Sequence, residues 1–119
     1  MTSQGSPFQR FRRALATGNL TIIRAEAAEL PRIGLAEAAA ILLVIAEGDP
    51  GSYERAAIRW LGKLCQEGTQ AALGDVARAA LALVALRTEP AAARASLAEL
   101  CARAGLPDAA AVFRGGAAG

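Results

Sequence analysis

The side chains able to do chemistry in this chain are few. Eleven carboxylates, two cysteines (Cys65 and Cys101), one lysine (Lys63) and one tyrosine (Tyr53) stand beside twelve arginines, and there is no histidine. General acid–base work needs a titratable group held in a cleft beside a partner. Glu37 opens a very apolar stretch, so a buried carboxylate there would mark a site. The plainer reading puts it in the first turn of a helix facing solvent, where the helix dipole favours negative charge. Asp49 and Asp75 read as helix caps in the same way. Cys65 follows Arg59 and Lys63 closely, but a cysteine nucleophile wants a histidine or a helix N-terminus. Its place near a helix C-terminus opposes a thiolate. A zinc site would need C-x-x-C spacing or histidine ligands, and neither is present. Both thiols therefore read as reduced, buried, small apolar side chains. Phosphate-loop and dinucleotide fingerprints are absent too. No catalytic residue, cofactor or metal is expected, and the chain reads as something other than an enzyme.

Binding is the remaining chemistry. Arg55, Arg59 and Lys63 recur at i, i+4 and i+8, so on a helix they line one stripe beside Gln66 and away from Tyr53, Trp60 and Leu64. No acid interrupts the stripe, and like charges so placed repel at a small intrinsic cost. As a site, it would dock phosphate or an acidic protein surface. The competing reading, an ordinary solvated face whose charges pair with a neighbouring helix, carries more weight on spacing alone. A second basic group, Arg10, Arg12 and Arg13, sits beside Phe8 and Phe11. Nucleic-acid binders interleave aromatics with cations in this way, yet Phe8, Phe11 and Leu15 keep the spacing of a core stripe. A helix-turn-helix over residues 19–44 is disfavoured, because its second helix offers no polar side chains for base edges.

These groups can only be positioned by helices. Apolar residues return every three or four positions throughout, and valine and isoleucine never alternate with polar residues at period two. Ser6 with Pro7 starts a first helix that Gly18 ends. Asn19 caps a second, running to about Leu30, where Pro31 stops it. A third spans about residues 34–47 and is apolar all round from 38 to 46, which implies burial on most sides. Asp49-Pro50 opens a fourth, to about Glu67, with Tyr53, Ala57, Trp60, Leu61 and Leu64 on its inner face and Ile58 and Cys65 widening it. The corner at Gly68-Thr69 leads to a fifth helix that runs to about Arg87 and starts later if Gly74-Asp75 is its cap. A sixth, from Pro90 to Gly105, carries Leu97, Leu100 and Cys101. A short seventh turn from Pro107 holds Val112 and Phe113.

Composition sets the outer limits. A chain of 119 residues fits one domain and can bury a core without disulfides or metals. With 54% hydrophobic and 20% charged residues it is not a disordered chain. Alanine supplies much of the apolar count, which favours closely packed helices over a sheet. The net charge of +2 names no nucleic-acid or membrane partner, although residues 1–32 hold +3 and the remainder −1. The lead Met1–Pro7 lacks a secretory signal. The most apolar run, residues 35–46, contains Glu37 and falls short of the ~20 residues that a membrane span needs. A cytoplasmic location with no membrane partner is expected, with one helical domain over residues 6–114 and flexible ends at 1–5 and 115–119.

A shift of forty residues places Ile33 on Leu73, Gly34 on Gly74, 39–41 on 79–81, Leu43-Val44 on Leu83-Val84, and Pro50 on Pro90. That is a helical hairpin used twice, near the period of helical-solenoid units; a bundle whose helices look alike is the alternative. Arg12-Arg13-Ala14-Leu15, Gly18-Asn19-Leu20, Ala28-Glu29-Leu30, Asp49-Pro50 and the run 53–61 together resemble small uncharacterised all-helical proteins of high-GC actinobacteria. The resemblance covers about residues 8–67. It implies the helical fold and no active site, since no activity attaches to that group. More loosely the hairpins are similar to helical-repeat adaptors such as tetratricopeptide proteins, whose period is shorter and whose signature is not matched. The expectation is an all-α fold: six main helices in antiparallel hairpins, as a bundle or short solenoid-like stack, plus a short C-terminal helix. The function expected is a non-catalytic protein–protein interaction module using Arg55, Arg59 and Lys63, with a protein or a second copy as partner. The alternative is non-specific nucleic-acid binding through Arg10, Arg12, Arg13 and the same stripe. A small enzyme ranks below both.

Overall fold

A computed structural model describes residues 6–115 and contains only helices among them: α1 (Pro7–Thr17), α2 (Leu20–Ala27), α3 (Leu35–Gly48), α4 (Pro50–Glu67), α5 (Leu73–Ala85), α6 (Pro90–Arg103) and α7 (Pro107–Arg114). Of the expected flexible ends 1–5 and 115–119, all but Gly115 lie outside the described residues. Gly115 closes α7 in the left-handed region at φ 89°. None of the described helices is long and apolar enough to cross a membrane.

The starts follow local chemistry. The Ser6 hydroxyl accepts from the Gln9 N–H, and the Gln9 side chain accepts from the Ser6 N–H, a reciprocal cap with Pro7 in the first turn. Asn19 Oδ1 accepts from both the Thr21 and Ile22 N–H groups. Helix α2 stops three residues before the expected Leu30, its last carbonyls held by tighter i→i−3 bonds to Glu29 and Leu30. Pro31 disfavours helical backbone at Leu30, so the chain cannot resume the helix beyond that tightened turn. Helix α5 starts at Leu73, so the corner at Gly68 is five residues long. Gly68 itself is buried, and a Cβ there would come within 2.9 Å of the Leu64 carbonyl oxygen and 3.2 Å of the Ala104 Cβ. Only glycine lets the end of α4 approach α6 so closely.

Five helices close into a ring, each packing on the next from α3 to α7, with α7 returning to α3. In an open stack each unit meets only its neighbours. The return of α7 makes the arrangement a bundle, and its long dimension is 47 Å against 29 and 22 Å. The α1–α2 hairpin lies outside the ring against α3, under a satellite core of Phe11, Ala14, Ile23 and Ala27. The main core fills the ring. Trp60 and Phe113 meet edge to face at its centre, with ring centroids 5.4 Å apart. Two aromatic polar tips tie α4 to both sides: the Tyr53 hydroxyl donates to the Leu83 carbonyl (2.6 Å), and the Trp60 indole N–H to the Leu35 carbonyl (3.2 Å). Arg94 of α6 donates to the carbonyls of Phe113 and Val112, satisfying the last turn of α7.

Candidate functional site

Helix α4 carries three different faces, set by its 18-residue amphipathic pattern. Tyr53, Ala57, Trp60 and Leu64 are buried in the ring. Arg55 and Arg59 are exposed on the flank turned toward α3, and Lys63 is half-buried there. Ile58 and Cys65 occupy the opposite flank and are exposed, not buried as the spacing suggested. The inner face is narrower than expected because α5 packs over Tyr53 and leaves the outer edge of α4 uncovered.

The basic stripe divides. Lys63 Nζ lies 3.5 Å from Glu67 Oε2, so an acid one turn further on does compensate it. The other Glu67 oxygen accepts from the Leu35 N–H at 3.2 Å, and the pair thus pins the end of α4 to the start of α3. Among the described residues Arg55 and Arg59 have no hydrogen-bond or ion-pair partner. Arg55 stands on open surface, whereas Arg59 and Lys63 edge a groove of ≈ 610 Å³ between α4 and α3. Ile41, Leu42, Ile45 and Trp60 contribute to its apolar lining. Arg24 of α2 adds a third cation, its guanidinium 4.0 Å from Asp49. No local pattern points to Arg24, because its approach depends on how α2 folds back over α3. The result is an oily trough with a positive edge.

Other candidates come apart in space. Arg10 pairs with Glu26 at 3.4 Å, and the Arg12 guanidinium lies 5.5 Å from the Phe8 ring centre. Phe11 is core, as its spacing predicts, so only Phe8 remains beside the cations. Glu37 sits in the first turn of α3, half-buried, where its carboxylate accepts from the Gly34 N–H. Asp49 holds the cap position of α4 without a side-chain capping bond. Asp75 caps the start of α5 from its third position and not from the N-cap: its carboxylate accepts from the N–H of the N-cap residue Ala72 and is buried between Arg78 and Arg103. The Ala72 bond first, then the two guanidinium groups, hold its carboxyl below the ordinary 3.8 against the opposing effect of burial. This network locks α5 to α6. Burial pushes the Tyr53 hydroxyl upward, with Arg87 pulling partly back.

A smaller groove of ≈ 270 Å³ between α1, α3 and α7 is mostly apolar, with Arg12, Glu37 and Asp108 at its edge and no nucleophile. Among the described residues no cluster of Cys, Asp or Glu could hold a metal, and no buried side-chain polar atom lacks a hydrogen-bond partner. No protein family model, curated protein or solved structure matches the chain.

Proposed function

We propose that this protein is a non-catalytic helical docking module, and that the trough between α3 and α4 receives an amphipathic helix with acidic side chains along its flank. The observation that carries this reading is the pairing of an apolar floor, Ile41, Leu42, Ile45 and Trp60, with a rim of Arg24, Arg59 and Lys63. A helix laid in a groove buries its oily face and offers its flanks to the rim. Rim charges steer the approach and choose among partners, while the partly exposed Ile33, Ala38, Ile41 and Ala56 over the buried Trp60 give apolar surface to cover. The unpartnered Arg59 is the cation most available for that choice. A nucleic-acid surface would instead favour exposed aromatics along a continuous basic track, and here the track is broken by Glu67 and Glu26.

The test is affinity capture of partners with the wild type beside Arg59→Glu/Lys63→Glu. Arg24→Glu serves as an independent rim variant from a different helix. Both should lose the same acidic helical partner while keeping the wild-type circular dichroism, and rising salt should weaken the wild-type complex. Equal recovery of every partner by all three proteins refutes the trough as the docking site.

A further inference from the structure

Helix α5 has two packing partners, α4 and α6, and its outer side has none among the described residues. That side is apolar. Leu73 is 86% exposed, Val84 75%, Leu81 70%, and Ile58 on the adjoining flank of α4 63%. Side chains of this size are seldom left so open together without a partner. The forty-residue shift sharpens the point, because it places Ile33, Ile41 and Val44 on Leu73, Leu81 and Val84. The first three are the α3-side residues that pack beneath the α1–α2 hairpin. The same pattern on α5 has no hairpin over it.

The stripe also reads alike from either end. Leu73, Ala77, Ala80 and Val84 share one side of α5, spaced four, three and four, with large residues outside and alanines in the middle. We infer that this face docks a second copy of the chain, α5 against α5, antiparallel about a two-fold axis passing between residues 78 and 79. In that register Leu73 of each copy faces Val84 of the other, and Ala77 faces Ala80. The alanines let the axes approach to the short end of the 8–10 Å range, and the large residues clasp at both ends. Such an interface is isologous, which is what a self-complementary stripe supplies. The stripe itself carries no charge, since Asp75 is turned inward and the exposed Arg78 reaches round to pair with it; Glu54 and Arg87 line the adjoining groove at its edge.

Area decides whether one helix suffices. Thirteen residues make a rod about 20 Å long and, with side chains, about 10 Å wide, while a standard interface takes roughly 800 Å² from each partner. The flank of α4 must therefore take part. It is placed to do so, because Ile58 and Leu61 line the same open groove of ≈ 700 Å³ as Ala80 and Val84.

The measurement is molar mass by light scattering over a dilution series. Wild type should approach twice its 12.2 kDa. Leu73→Glu/Val84→Glu sets like charges opposite each other, and so does Leu73→Lys/Val84→Lys. Each alone should remain at single-chain mass with unchanged helicity, since neither position is in the core. Mixing the two should restore the double mass as a mixed pair, which also proves that both fold. Arg59→Glu/Lys63→Glu should leave the mass of the wild type unaltered, separating this surface from the trough. A wild-type chain that stays single at roughly millimolar concentration, where even weak association registers, overturns the inference. So does a double mass that survives either charge variant, or a mixture that fails to pair.

Discussion

Helices α3 and α5 are built from the same materials and meet opposite fates. Both are rich in alanine and leucine, both carry a carboxylate at the third position, and both contribute to the ring core. Helix α3 is also covered on its outer side by α1 and α2, and touches α1, α2, α4 and α7. Helix α5 keeps its outer side open. The difference teaches that a largely apolar helix reports how many sides are meant to be covered, without saying by what. For α3 the cover lies in the same chain, just upstream. For α5 no described helix supplies it.

The comparison can be broken most forcefully at the covered end. Phe11 is the largest side chain of the satellite core and fully buried. Phe11→Ala should cost about 3–5 kcal/mol. The loss should be local: hydrogen exchange should accelerate across α1 and α2 while α4, α6 and α7 stay protected. Freed of its hairpin, α3 would expose Ile33, Ile41 and Val44, and so come to resemble α5. Uniform loss of protection throughout the ring would show that the hairpin and the ring are one cooperative unit.

A second experiment sharpens the same contrast through the two thiols. Cys101 lies in the core, and burial pushes its pKa from 9.0 to about 11. Cys65 is exposed on the α4 flank that adjoins α5. Alkylation of the native protein should therefore modify one thiol, and the second only on unfolding. The pH dependence follows in sign. A thiol with a higher pKa folded than unfolded contributes fully below 9.0, and that contribution is lost as pH rises toward 11. The loss is on the order of 2–3 kcal/mol, since each tenfold difference in proton affinity between the two states is worth about 1.4 kcal/mol. Urea titrations from pH 8 to 11 should show that decline, and Cys101→Ala should flatten it. A decline of the same depth in Cys101→Ala would assign it to other groups, Tyr53 first among them.

Much of this architecture was legible because it is local. Ser6, Asn19 and the prolines at 7, 50, 90 and 107 mark helix starts by chemistry that acts within a turn. Tyr53, Trp60 and Leu64 share a face by spacing, and they are buried. What could not be read depends on residues distant in the chain. Asp75 meets Arg103 across 28 positions, and nothing in either neighbourhood announces the other. Ile58 and Cys65 extend an apolar arc that the ring does not fill. Helix α7 reads as a final turn, yet its alanines let it wedge between α3 and α6 and carry Phe113 to Trp60. Of the trough, Arg59 and Lys63 are visible in the sequence, whereas Arg24 and the floor require α2 and α3 to be in place.

The smallest expected effect is the most discriminating. Leu81→Ala removes a large side chain from a helix of the core ring, and at a buried site such a change costs about 2–5 kcal/mol. At 70% exposure little of that applies, because the leucine already lies mostly in water in the folded chain. Alanine is also the better helix former, by a few tenths of a kcal/mol. In a chain diluted until single, the net change should thus stay within about 0.5 kcal/mol of zero. As concentration rises the same truncation should begin to subtract from stability, since it then removes contact between copies and not within one. Thermal melts of wild type and Leu81→Ala at low and high concentration separate the two cases. Coincident melts at both concentrations would leave α5 open for a reason other than a second copy. A large loss in the dilute chain would mean that its outer side is covered from within.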